Sequence, residues 1–386
     1  MRQAEMPATT TAAQSSRIAS VDVLRGFNMF WIIGGDAAVL ALAGMLRGNG
    51  AVLDAIGAFL QTQMTHVAWE GFRFYDFIFP LFIFVTGVAI AIALPRQVAR
   101  EGKRAAQGRV LRRTLLLFLL GILYYGGVGE SWADVRVLGV LQRIALCYGI
   151  ASILLLNLNE RGLVAVWVTL LVGYWALMTF VPVPGIGAGS FARNANLADW
   201  IDAHYLPGRL WEGTRDPEGL LSTIPAVATC LLGVLAGLFM TSGKVAPPRI
   251  SLALIAAGAI MAGAGYVWGL QFPVIKPIWT SSFALVAGGY SLMLLGAIHY
   301  VTDVRGVTRW TAPFVWIGAN AITLYLLHNV VHFDRLAARF VGGDVARLLD
   351  RLVGDGAGSF AIHALGLAFA IALAGYLYRR RIFLRV

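Results

Sequence analysis

Residues 81–94 read Leu, Phe, Ile, Phe, Val, Thr, Gly, Val, Ala, Ile, Ala, Ile, Ala, Leu, with no charged side chain, and comparable runs recur down the chain. Stretches of this kind are at home in the hydrocarbon of a bilayer, where a helix satisfies its own backbone groups. Composition agrees: 58% of the 386 residues are hydrophobic and only 13% charged, against roughly 25% charged in soluble domains. The chain is therefore predicted to be all-α, a polytopic membrane protein with about ten transmembrane helices near 23–46, 81–94, 115–128, 135–156, 163–181, 221–240, 250–271, 279–301, 313–333 and 360–378.

Orientation follows from charge. Between Pro95 and Thr114 lie Arg96, Arg100, Lys103, Arg104, Arg109, Arg112 and Arg113 with only Glu101 against them, the signature of a cytoplasmic loop. An even number of spans then puts both termini in the cytoplasm, and Arg379, Arg380, Arg381 and Arg385 agree. The expected location is a multi-pass place in the bacterial inner membrane. Residues 1–20 lack an apolar core and read as a flexible cytoplasmic tail, with 21–386 as a single transmembrane domain. The net charge of +11 is explained by this bias and by anionic lipid, so nucleic acid is not an expected partner. Cys147 and Cys230 lie in apolar runs and read as small buried hydrophobes.

Polar groups inside or at the edge of such spans mark function by default. The densest set is the stretch 66–80, which brings His66, Trp69, Glu70, Arg73, Tyr75 and Asp76 to the mouth of the second span. Asp22 and Arg25, three apart, share a face of the first helix and can pair; Asp36 lies deeper in it. Gln142 and Arg143 are interior to the fourth span, and Arg143 reads equally well as a structural partner of Asp36, Glu70 or Asp76 and as an anion site. Asp216 and Glu218 open the sixth span, where a helix N-terminus favours them, and Lys276 lies in an outer turn. His328 and His332 are spaced i, i+4, but without a supporting acidic or thiol pattern interhelical hydrogen bonding is preferred over metal. Trp132, Trp200, Trp211 and Trp279 read as interfacial anchors or as platforms for a sugar.

The motifs RIASVDVLRG at 17–26, HVAWEGFRFYDFIFPLF at 66–82, VRVLGVLQR at 135–143, DPEGLLST at 216–223, KPIW at 276–279 and the 320–328 neighbourhood together resemble the heparan-alpha-glucosaminide N-acetyltransferase-like family of transmembrane acetyltransferases, in that family's order. The resemblance implies a ten-helix core that takes acetyl from cytosolic acetyl-CoA to the amine of a glucosamine-type sugar on the far side. It puts the catalytic histidine at His66, with Asp36 orienting the amine or the imidazole. Trp69, Glu70, Asp76, Gln142, Arg143, Glu218, Lys276 and Trp279 are the acceptor-side candidates. Arg25, Arg112, Arg113, Asn320 and His328 are the donor-side candidates, and no metal is expected. Asp36 and Glu70 replace asparagines of the animal members, which leaves the acceptor and the proton route open, as is a double displacement through acetyl-His66. The expected partners are the amino sugar, acetyl-CoA and membrane lipid, and the reading admits a homodimer. The rival reading is a secondary transporter of an amino sugar such as N-acetylglucosamine, with Asp36, Glu70, Asp76 and Arg143 as sites at depth.

Overall fold

A computed structural model describes residues 18–127, 129 and 131–384. Nearly all of the expected tail, together with Arg17 of the first motif, Val128 at the end of the expected third span and Arg385, lies outside the described residues.

The elements are helices joined by irregular loops, with three isolated β-bridges among the described residues. They run α1 Ala19–Phe30, a π turn Trp31–Gly35, α2 Asp36–Leu46, α3 Ala51–Gln63, α4 Phe74–Glu101, α5 Lys103–Tyr124, α6 Val140–Asn157, α7 Glu160–Phe180, α8 Leu197–Tyr205 and α9 Thr223–Thr241. They continue with α10 Pro247–Gly269, α11 Ser281–His299, α12 Ala312–Ala319, α13 Ala321–Val331, α14 Phe333–Val341, α15 Asp344–Val353 and α16 Ala357–Arg379. Among the described residues eight helices are long and apolar enough to cross a membrane, and nine if α12 and α13, bent by 81° at Asn320, form one broken span. The protein is a polytopic membrane protein, as its hydropathy predicts.

The tenth expected span is α5, whose first half carries Lys103, Arg104, Arg109, Arg112 and Arg113 and so is too charged to qualify by composition. It nevertheless runs the height of the bundle: Lys103 donates to Asn157 at the far end of α6, while Tyr124 stacks on Tyr325 of α13. Ile18, Arg96, Tyr378 and Leu384 border one cavity mouth, so both described ends of the chain lie at the Arg-rich end. His66 lies at the opposite end, before the first residue of α4.

With little hydrophobic drive between helices in lipid, packing depends on close backbone approach. A Cβ at Gly87 would collide with the Cys230 carbonyl and one at Gly233 with the Phe84 carbonyl, which locks α4 to α9. Gly26 and Gly318 do the same for α1 and α12: a Cβ at either would strike the partner's backbone. The first span is broken at Gly34, with φ of +127°. Asp36 therefore begins a second helical segment instead of continuing the first.

Between the last two expected spans the chain forms α14 and α15. Their apolar residues recur at helical spacing and leave Phe340, Leu348 and Leu352 exposed, as suits helices lying at a membrane boundary. α3 likewise leaves Val52, Ile56 and Phe59 exposed.

Candidate active site

Asp76 is the fixed point of the His66 end. It sits three residues after the N-cap of α4, where its Oδ2 accepts the Arg73 N–H at 3.1 Å and the Val67 N–H at 3.3 Å, the carboxylate half of a capping box. With its side chain only 2% exposed, Asp76 presents Oδ1 to His66 Nδ1 at 2.8 Å. This contact assigns the imidazole proton to Nδ1 and leaves Nε2 as the basic nitrogen. The His66 side chain is 51% exposed, so it is accessible to a solute.

Lys276 reaches the same pair from the loop between α10 and α11. Its Nζ lies 3.0 Å from His66 Nδ1, 3.2 Å from Nε2 and 3.5 Å from Asp76 Oδ1. Near-equal distances to both ring nitrogens put the ammonium over the face of the imidazole, because an in-plane position would overlap the carbon between them. Burial pushes the Lys276 ammonium below its ordinary range, against the pull of Asp76 and Glu218. The two loops are joined by backbone: Glu70 and Ile275 form an antiparallel bridge and the Gly71 N–H donates to the Val274 carbonyl at 2.8 Å.

Asp36 is one side chain further away than the sequence suggests. Its Oδ2 accepts the Tyr75 hydroxyl at 2.6 Å, and the Tyr75 ring lies 4.7 Å from that of His66. The Asp36 contact to His66 thus runs through Tyr75, a residue within the quoted motif to which the sequence attaches no role. Trp69 donates to the Phe191 carbonyl at 2.9 Å and is covered by Arg215, so it pins the long 182–219 segment against the site. Glu70 is exposed beside it.

Several acceptor-side candidates turn out to be interior. Trp279 is 1% exposed, donates to Thr229 and is packed by Phe79, Phe283 and Arg143. Arg143 is fully buried and donates to the Gly219 carbonyl and to Ser222 Oγ; it contacts none of Asp36, Glu70 or Asp76. Gln142 beside it reaches the Arg136 carbonyl at 3.4 Å. Glu218 binds Arg136 at 2.7 Å, which also holds Asp216 through two nitrogens. Tyr125 and Trp211 cover the Arg136 guanidinium at 4.3 Å and 4.4 Å. Burial raises Glu218 above the usual carboxylate range, and it pushes the neighbouring Asp202 up to about 7. This cluster holds the outer loops to the bundle, and Arg136 and Asp216 carry it although the sequence attaches no charge pairing to them.

On the other side of Asp76 a cavity of about 590 Å³ penetrates the bundle. Its mouth carries Asp22, Arg25, Arg96 and Arg113, its middle Asn28 and Asn320, and its inner end Phe79, Phe82 and Tyr325. Along α4 it extends from Arg96 to Phe79, about 25 Å at 1.5 Å per residue, and ends one helical turn short of Asp76. Arg25 is paired with Asp22 at 2.6 Å, as their spacing predicts, and Arg113 lies over Tyr148 at 4.8 Å. Arg112 is exposed outside the cavity and His328 lies outside its lining, with Nδ1 buried. No three His, Cys, Asp or Glu side chains converge as a metal ion would need, among the described residues.

Fold and site define a membrane-embedded helical bundle with a histidine–carboxylate–lysine cluster at one end and a basic-mouthed cavity entering from the other. The chain is similar to heparan-alpha-glucosaminide N-acetyltransferase of Homo sapiens, 28% identical over 327 residues, 69% of this chain and 48% of the human protein. It is similar also to the protein of the same name from Mus musculus, 26% identical over 328 residues, 69% of this chain and 49% of the mouse protein. These similarities bear out the family resemblance carried by the motifs. The chain spans about half the length of the curated relatives it matches. No protein-family model matches the chain.

Proposed function

We propose that this protein is an acetyltransferase that takes acetyl from acetyl-CoA and places it on the amine of a glucosamine-type sugar across the membrane. The observation that carries this reading is the cavity that opens among Arg25, Arg96 and Arg113 and ends one turn from the carboxylate holding His66. A soluble donor with a phosphorylated head and a long arm fits that shape. The arginines suit the phosphates, and the apolar inner end suits the acyl thioester. With the Arg-rich end cytoplasmic by the positive-inside bias, the donor enters from the cytosol of a bacterial cell and the acceptor meets His66 from outside.

In the reaction the sugar nitrogen attacks the thioester carbonyl, the C–N bond forms, the C–S bond breaks and the thiolate leaves. His66 Nε2 takes the amine proton while Asp76, on Nδ1, holds the ring and balances the imidazolium. The Lys276 ammonium, above that ring, is placed to meet negative charge developing on the carbonyl oxygen. Asp36 acts on this group through Tyr75.

The test is acetyl transfer from radiolabelled acetyl-CoA to glucosamine by purified protein in micelles. Labelled acetylglucosamine that requires His66 is the expected result. No transfer, with counterflow of labelled amino sugar in liposomes lacking CoA, would replace the enzyme by a carrier.

A further inference from the structure

Asn28 of α1 is 0% exposed and Asn320, at the break between α12 and α13, is 2% exposed, and both border the cavity. Neither Asn28 Oδ1 nor Nδ2 has a hydrogen-bond partner among the described residues, nor does Asn320 Oδ1. Asn320 Nδ2 donates to the Trp316 carbonyl at 3.3 Å, which fixes its oxygen as the free atom. Both helices start at the Arg-rich end and touch at Gly26 and Gly318, each two residues before its asparagine. The two amides therefore stand at one height, about 14 Å from the first residue of α1 at 1.5 Å per residue. Two acceptors and a donor left bare in a water-poor place are costly, and native interiors seldom keep them.

We infer that Asn28 and Asn320 form a waist that recognises the secondary amides of the donor's carrier arm, the pantetheine of acetyl-CoA. Amide N–H groups of the arm donate to Asn28 Oδ1 and Asn320 Oδ1, and an arm carbonyl accepts from Asn28 Nδ2. The inference rests on the acetyl-CoA reading above and deepens it. The basic mouth takes the phosphates, the waist takes the amides, and the apolar end takes the thioester. The waist thus distinguishes a pantetheine thioester from a nucleotide of equal charge, which the arginines alone cannot do.

The experiment measures binding of acetyl-CoA and of adenosine 3′,5′-bisphosphate, which has the charged head without the arm, to the full-length protein in micelles by calorimetry and thermal shift. Asn28→Leu is expected to weaken acetyl-CoA about tenfold for two lost hydrogen bonds, and Asn320→Leu about threefold for one. Bisphosphate affinity stays unchanged in both. The ligand-free melting temperature holds or rises, because an apolar side chain replaces an orphaned amide. Should Asn28→Leu not fold, Asn320→Ala gives the same comparison. Wild-type affinity for acetyl-CoA in the variants, or equal weakening of both ligands, overturns the waist and leaves the donor reading standing. Wild-type protein that binds neither ligand overturns both.

Discussion

The Tyr75 hydroxyl donates to Asp36 at 2.6 Å while its ring lies 4.7 Å from His66, so the carboxylate of the broken first span meets the imidazole only through a tyrosine. If the two act in series, Tyr75→Phe and Asp36→Asn should lower kcat by similar factors, and the double variant should be little worse than either. Independent roles would instead multiply the two losses, which a double-mutant cycle detects.

His66→Ala should reduce acetyl transfer by 10²- to 10⁴-fold, typical of a lost general base, a barrier increase of at least about 2.7 kcal/mol at 1.36 kcal/mol per tenfold. Acetyl-CoA binding, measured by thermal shift, should survive. Raising the pH should partly restore turnover, because the acceptor amine then sheds its own proton. A variant that stays inactive at every pH while binding donor points to acetyl-His66 as the intermediate.

Asp202 is 2% exposed, accepts the Leu220 N–H at 2.8 Å, and is pushed by burial up to about 7. The folded carboxyl keeps its proton to near neutrality, whereas an unfolded aspartate loses it near pH 4. Between those values the folded state binds the extra proton, so stability falls as pH rises, by up to about 1.4 kcal/mol per unit. Asp202→Asn should match wild type in melting temperature at pH 4 and exceed it at pH 8. Parallel curves for the two proteins would contradict this.

Orientation can be read with thiol chemistry, since the native Cys147 and Cys230 are buried. In intact cells an impermeant maleimide should label Ile186→Cys, on the His66 side, and spare Gln107→Cys, in the exposed basic start of α5. The reverse pattern would put His66 in the cytosol and remove the need for a reaction across the membrane.

Much of this was legible in the sequence because hydropathy and local charge are short-range signals. The apolar spans, the Asp22–Arg25 pair and the concentration of groups around His66 needed no distant partner to be recognised. Lys276 lies 210 residues from His66, and only the fold could show that the two meet. Arg143, a charge inside a span, and Trp279, an aromatic at the end of one, read as site residues; their partners, Gly219 and Ser222 just ahead of α9, Thr229 within it and Phe79 of α4, are distant in the chain and draw them inward. Asn28 carried a usable signal. Asp22, Arg25 and Asn28 recur every third residue on one face of an otherwise apolar helix, and all three border the cavity. The break at Asn320 does not show in hydropathy, since α12 and α13 together are apolar enough to read as one span.

The backbone bridge between Glu70 and Ile275 makes the His66 and Lys276 loops one mechanical part. A residue added to either loop slides the bridge and carries the imidazole and the ammonium out of register together, so neither loop can be regrafted alone. Anyone redesigning this protein for a different acceptor would have to transplant 64–73 and 270–280 as a matched pair and vary instead the segment that Trp69 clasps, which frames the entrance without supplying either group.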